Sequence, residues 1–169
     1  MKTLLVLRHA KASRESPTGG DFDRPLAERG WADGRLIGRE MRHRGLHPDA
    51  VVASPATRVV ETLAAVAEGY GPLDATFDKS IYDSTPELLL GIVRESDEEA
   101  QRLMLIGHNP GLQELLLRLT VDDSDGLRVD VAGKFPTAAI AAVELPIDEW
   151  RNLLAGTGRI TSLIRPGDL

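Results

Sequence analysis

Two histidines and two arginines carry the chemistry this sequence offers. Arg8 and His9 stand side by side. Arg58 follows Ser54-Pro55-Ala56-Thr57, and His108 follows Gly107 and precedes Asn109-Pro110. Arginine holds a phosphoryl group well because its planar fork donates two hydrogen bonds at once. One such charge pair at ~4 Å is of order 4 kcal/mol at an intermediate dielectric near ~20, before desolvation. A histidine among such cations has its protonated form disfavoured. It then keeps a free ring nitrogen that can attack phosphorus, provided the other nitrogen donates to a carbonyl or carboxylate. His9 in that role would form a covalent phosphohistidine that water later hydrolyses. Arg8, Arg58 and His108 would hydrogen-bond the equatorial oxygens of the transferring group. Chemistry of this kind needs neither a metal nor a cofactor.

Each of these groups ends a short apolar run: Leu4-Leu5-Val6-Leu7, Val51-Val52-Ala53 and Leu103-Met104-Leu105-Ile106. In an open, mostly parallel α/β sheet, ligand sites lie just beyond the carboxyl ends of the strands. If the three runs are parallel neighbours, Arg8, His9, Arg58 and His108 meet in one pocket. Residues 3–7, 50–54, 102–107 and 138–145 read as strands, with edge strands at 73–78 and 159–165. Helices are expected over 26–44, from Ser54-Pro55 to Tyr70, from Thr85-Pro86 to about 96, after Asn109-Pro110, and briefly over 148–154. The three Ser, Thr or Asn residues followed by proline predict an N-cap with proline at the first helical position. Leu112, Leu115, Leu116 and Leu119 form a clean amphipathic stripe. Gly30, Gly34 and Gly38 recur at helical spacing, each costing about 1 kcal/mol relative to alanine, which predicts close approach of that face to the sheet. Residues 10–25 read as a long loop and 121–130 as an acidic turn. The alternation predicts a three-layer α/β sandwich, with a mostly parallel central sheet flanked by helices.

A chain of 169 residues suffices for one domain with a real core, taken here as residues 1–169. Without cysteine, neither a disulfide framework nor a thiolate metal site is possible. The first apolar run stops at Arg8, too short for a signal-peptide core, and no later run could span a bilayer, so the cytoplasm is the default location. A net charge of −6 argues against a broad nucleic-acid surface, and an acidic protein that binds an anion must concentrate its cations locally. Arg35, Arg39, Arg42, His43, Arg44 and His47 read as solvated helix-face and helix-end residues. Lys11 and Ser13 read as loop, and Lys134 and Thr137 as strand entry. The run Asp122-Asp123-Ser124-Asp125 lacks an EF-hand pattern and reads as a solvated turn.

Leu-Val-Leu-Arg-His at residues 5–9 resembles the signature of the histidine phosphatase (phosphoglycerate mutase-like) superfamily. Ser54-Pro55-Ala56-Thr57-Arg58-Val59-Val60-Glu61-Thr62 resembles its SP…R…ET element, and Gly107-His108-Asn109-Pro110 its second-histidine element. Three further stretches resemble the SixA-type phosphohistidine phosphatase branch: residues 8–12 (Arg-His-Ala-Lys-Ala), 21–26 (Asp-Phe-Asp-Arg-Pro-Leu) and 134–139 (Lys-Phe-Pro-Thr-Ala-Ala). The resemblance implies a phosphoglycerate mutase-like fold, His9 as nucleophile, and Arg8, Arg58 and His108 as the phosphate pocket. Ala10 stands where the superfamily usually has glycine, and alanine takes positive φ only at a cost.

The proton donor bears on the substrate. A phosphate ester must expel an alkoxide, which needs a proton, whereas phosphohistidine expels an imidazole whose conjugate acid has a pKa near ~6.5. The resemblance implies a carboxylate general acid in the superfamily's mutases and small-molecule phosphatases, on an element with no clear match here, and the loop or cap residues Asp21, Asp23, Asp83 and Glu87 are the candidates. The favoured reading is therefore a metal-independent phosphatase acting on a phosphohistidine-bearing partner protein and releasing inorganic phosphate. The alternatives are a phosphatase of small phosphate monoesters and a non-catalytic phosphate or phosphoprotein binding module.

Overall fold

A computed structural model describes all 169 residues. Six strands form one mixed sheet: β1 (Lys2–Arg8), β2 (Ala50–Ala53), β3 (Thr76–Phe77), β4 (Arg102–Gly107), β5 (Ile140–Leu145) and β6 (Arg159–Ile164), in the order β3-β2-β4-β1-β5-β6. β1 to β4 are mutually parallel, and β5 and β6 are antiparallel to their neighbours. The three strands that carry Arg8, Arg58 and His108 are thus parallel neighbours, with β4 between β2 and β1. Central parallel strands are buried on both faces, which is why they read as unbroken apolar runs. Leu4, Val6, Leu103 and Leu105 face one layer, and Leu5, Leu7, Met104 and Ile106 the other.

Five helices cover the two faces. α1 (Glu28–His43) and α2 (Thr57–Tyr70) lie over the Leu5 face. α3 (Pro86–Arg94), α4 (Gly111–Leu119) and α5 (Leu127–Gly133) lie over the Leu4 face with Trp150. The four leucines of the α4 stripe are fully buried. The α1 glycines turn to a different neighbour from the one expected. A Cβ on Gly34 would come within 2.5 Å of the Ala65 methyl, and one on Gly38 within 2.1 Å of the Val66 carbonyl oxygen. Close approach at Gly34 and Gly38 is therefore helix against helix, α1 on α2, and at Gly30 it is to the loop, where a Cβ would come within 2.1 Å of the Lys11 carbonyl oxygen; none of the three faces the sheet.

Other expectations need correction. Residues 121–130 are not all turn, because α5 begins at Leu127. The edge strand near 73–78 shrinks to Thr76–Phe77, and the helix near 148–154 is a single 3-10 turn over Trp150–Asn152. Of the three proline starts, only Thr85-Pro86 behaves as predicted, with the Leu88 N–H donating to Thr85 Oγ1 at 3.3 Å. α4 starts one residue late, after Pro110, while Asn109 Oδ1 still accepts from the Gln113 N–H at 3.3 Å. α2 starts two residues late, with Ala56 at its cap. The Ser54 hydroxyl is thereby free for another contact. No helix is long and apolar enough to cross a membrane.

Candidate active site

β1 ends by delivering Arg8 and then His9. The His9 ring is buried, with its Nδ1 at 2.8 Å from the Ala10 carbonyl oxygen. A carbonyl only accepts, so Nδ1 carries the proton and Nε2 keeps its lone pair. Burial above all pushes the His9 pKa down to about 4; the Ala10 carbonyl pulls it back up, and the guanidinium groups of Arg58, Arg8 and Arg24 each add a smaller downward push. His9 is therefore a neutral imidazole with one free nitrogen near neutral pH.

The turn after His9 accommodates alanine without strain. Ala10 has no positive φ, is fully buried, and its N–H donates to Thr62 Oγ1 at 2.9 Å. The positive φ in this neighbourhood belongs instead to Ala138, at 62°. Its N–H lies 3.1 Å from the Arg8 carbonyl and 3.0 Å from that of His9, closing the β1 end against the entry to β5.

β4 delivers His108, whose ring centroid lies 5.4 Å from that of His9. Burial, and then the nearby His9, Arg58 and Arg8, push its pKa down to about 3. Its Nε2 meets Ser54 Oγ at 2.8 Å, and its Nδ1 is buried with no partner. Arg58, in the first turn of α2, is also buried, and its Nε and that of Arg8 are unpartnered. One carbonyl steadies both β1 and β4 ends: Phe135 O accepts from Arg8 Nη1 at 3.1 Å and from Asn109 Nδ2 at 2.9 Å. The 134–139 stretch thus acts through its backbone, while Lys134 is exposed and Thr137 half-buried.

The candidate carboxylates separate by position. Asp21 reaches the site: its carbonyl accepts from Arg58 Nη1 at 2.8 Å, and its Oδ2 accepts from Arg58 Nη2 at 3.0 Å and from the Tyr82 hydroxyl at 2.6 Å. The Tyr82 bond foremost, with the Arg58 and Arg24 charges, holds its pKa below the usual carboxylate range. Asp23 is tied up by the Thr18 hydroxyl at 2.7 Å. Glu87 pairs with Arg118, which holds its pKa down. Asp83, at φ 55°, lines the same small cleft as Asp21, Arg58, Tyr82, Ser84 and His108. Tyr82 and Arg24 were not singled out from sequence as site residues. Arg24 could have been suspected from its place beside Asp21, whereas nothing in the local sequence marks Tyr82.

The cleft holds about 90 Å³. Sites that enclose a small-molecule ligand typically have about 300–1,000 Å³, so this cleft has room for a group of phosphoryl size rather than a whole small molecule; Arg58 and His108 line it, whereas Arg8 and His9 are not among its lining residues. Larger hollows lie beside His47 and Tyr70 and beside Phe77, of about 440 and 490 Å³, but neither gathers this chemistry. No three metal-ligating side chains converge anywhere in the chain.

An uncharacterized protein of Mycobacterium tuberculosis, Rv1276c, is 28% identical over 165 residues, spanning 95% of this chain and 99% of that one. A crystal structure assigned as the phosphohistidine phosphatase SixA from Agrobacterium tumefaciens superposes with a TM-score of 0.81 at 27% identity, covering 98% of each chain. A protein histidine phosphatase SixA complexed with tungstate shares the fold, with a TM-score of 0.79 at 21% identity over 98% of each chain. The family model described as histidine phosphatase superfamily (branch 1) matches residues 4–109, from the first strand through the second histidine, and the chain belongs to that superfamily.

Proposed function

We propose that the protein is a phosphohistidine phosphatase that works through a phosphohistidine on His9. The observation that carries this reading is the His9 ring itself. Its Nδ1 proton is held by the Ala10 carbonyl, and its Nε2 is unprotonated beside two arginines and a second histidine. The Nε2 lone pair attacks phosphorus, and the P–N bond to the substrate imidazole breaks. The electron pair leaves on that nitrogen, and the substrate imidazole, whose other ring nitrogen carries a proton, departs neutral. Water then attacks the new phosphohistidine, the P–Nε2 bond breaks, and inorganic phosphate departs. Arg8, Arg58 and His108 neutralise the charge on the phosphoryl oxygens throughout. Three cationic or donor side chains fill the role a metal would otherwise serve, so none is invoked.

The state of the carboxylates supports a P–N substrate. Asp21 is held ionised by Tyr82 and Arg58, and Glu87 is engaged with Arg118. Neither offers the proton that an alkoxide needs, whereas a phosphohistidine ring takes up its own proton on the distal nitrogen near neutral pH and leaves as neutral imidazole without an enzyme acid. The small cleft supports a phosphorylated protein side chain presented from outside. A second reading, hydrolysis of small phosphate esters, is favoured by one observation: Asp83 lines the cleft.

The test compares wild type, His9→Ala and Asp83→Asn on a phosphohistidine-bearing carrier protein and on an aryl phosphate, with chelator present. The proposal requires wild-type release from the carrier, its loss in His9→Ala and its retention in Asp83→Asn. Faster turnover of the aryl phosphate, lost in Asp83→Asn, would replace it with the ester reading. Phosphate binding without turnover of either would leave a binding module.

A further inference from the structure

Ser54 begins with the wrong role. Its place before Pro55 suggests a helix cap, but α2 starts only after Ala56, and the serine is fully buried below the site. Two polar neighbours surround the hydroxyl: the Ala56 N–H at 3.2 Å and His108 Nε2 at 2.8 Å. A hydroxyl has one proton and two lone pairs. The Ala56 N–H can only donate, so it takes one lone pair.

Two arrangements remain for the contact with His108. If Nε2 held the ring proton, it would donate to the second lone pair. The hydroxyl proton would then have no acceptor in a sealed position, which folded proteins avoid. His108 Nδ1 would be a bare lone pair, and an arriving anion would meet it lone pair to lone pair. If instead the hydroxyl donates to Nε2, every group on Ser54 is satisfied. The ring proton then sits on Nδ1, a buried nitrogen with no protein partner on a residue that lines the cleft. An anion in the cleft supplies the acceptor that this nitrogen lacks.

We propose that Ser54 is a positioning residue that fixes His108 as the Nδ1–H tautomer and so turns its free N–H into a donor for the phosphoryl oxygens. The inference rests on reading the cleft as a phosphoryl site. The two histidines then share one tautomer by opposite means. A carbonyl acceptor holds the Nδ1 proton of His9 and leaves Nε2 free to attack. A hydroxyl donor occupies Nε2 of His108 and leaves the Nδ1 proton free to bind.

Long-range ¹H–¹⁵N correlation spectra of the whole protein, labelled at histidine, report which ring nitrogen carries the proton at each of its 4 histidines. The His108 signals are assigned by their loss in His108→Gln. The expected wild-type result is a protonated Nδ1 and an unprotonated Nε2 at His108. A protonated Nε2 in wild type overturns the proposal outright, without recourse to any Ser54 variant. In Ser54→Ala the tautomer should shift toward Nε2–H, and inorganic phosphate should bind about tenfold more weakly, the scale of one lost hydrogen bond to a charged group. Ser54→Thr, which keeps the hydroxyl, should restore both. An unchanged tautomer in a folded Ser54→Ala also overturns the assignment. Failure of wild type to bind phosphate, with the Nδ1–H tautomer present, would overturn the phosphoryl-site reading and with it the donor role, while the Ser54–His108 hydrogen bond would stand.

Discussion

Replacing Asp21 by asparagine is expected to tighten the binding of inorganic phosphate. Both terminal nitrogens of Arg58 are taken by Asp21, one by its carbonyl and one by its carboxylate. A phosphoryl group that claims the Arg58 fork must therefore displace a carboxylate already there. The bare Coulomb energy of such a pair is of order 4 kcal/mol at an effective dielectric of ~20. The Asp21 side chain is 57% exposed, however, so solvent screens most of it. Exposed pairs measure about 0.2–1 kcal/mol, and the buried position of Arg58 puts this one at the top of that range. Asparagine keeps the shape and the Tyr82 contact but removes the charge, so phosphate should gain about 1 kcal/mol, or roughly fivefold in Kd. Titration calorimetry with inorganic phosphate reads this directly, and the gain should shrink as salt rises. Unchanged or weaker binding in Asp21→Asn would refute the reasoning, because it would mean that phosphate and the carboxylate do not compete. The same variant tests Asp21 as a proton donor. A general acid contributes about 10²- to 10⁴-fold, and a loss of that size on an aryl phosphate would show that the ion pair opens during turnover.

Further expectations follow from particular contacts. The His9 pKa is depressed from 6.5 to about 4 on folding, so the unfolded chain binds protons more readily. Stability should fall as the pH drops from about 6.5 toward 4, and urea unfolding of His9→Ala should show a shallower decline over that window. For the same reason, the acid limb of phosphate release should not show a nucleophile titrating near 6.5. Gly38→Ala should lower the melting temperature despite alanine's helix preference, because its Cβ would meet the Val66 carbonyl oxygen at 2.1 Å. The expected cost is at least about 2 kcal/mol by thermal unfolding, against the roughly 1 kcal/mol that propensity alone would add. Thr62→Val removes the hydroxyl that serves Ala10 and, if His9 is the nucleophile proposed above, should lower kcat on the carrier protein more than it raises KM, since it disturbs the turn after His9 and leaves the cleft's cations in place.

The strand ends were legible because their residues carry two messages at once. An unbroken apolar run ending in Arg-His or Gly-His states both the buried strand and the polar group it delivers. Helix starts were less legible. Ser54-Pro55 and Asn109-Pro110 have the composition of caps, but tertiary contacts drew Ser54 to His108 and moved the helix onset inward. The glycines of α1 announced close packing without saying against what, since sequence spacing defines a face but not its neighbour. The Phe135 carbonyl that receives Arg8 and Asn109 was invisible, because a backbone acceptor leaves no mark on residue type. Asp21 and Asp83 stood among four equal carboxylates until three-dimensional placement separated them from Asp23 and Glu87.

One turn of α2 links parts of the chain that are far apart in sequence. Arg58 grips Asp21, the Glu61 carboxylate accepts from the Leu26 N–H at 2.7 Å, and the Thr62 hydroxyl accepts from the Ala10 N–H while donating to the Arg58 carbonyl at 2.6 Å. The start of the long 10–25 loop and the residue just beyond its end, Leu26, are therefore moored to neighbouring residues of one helix. Local opening in proteins proceeds in cooperative units. The amides of Ala10 and Leu26, 16 positions apart, should exchange with solvent at a common rate, because fraying that one turn frees both. The turn that carries His9, the Arg58 side chain and the loop at the mouth of the cleft would then loosen and reassemble as one body.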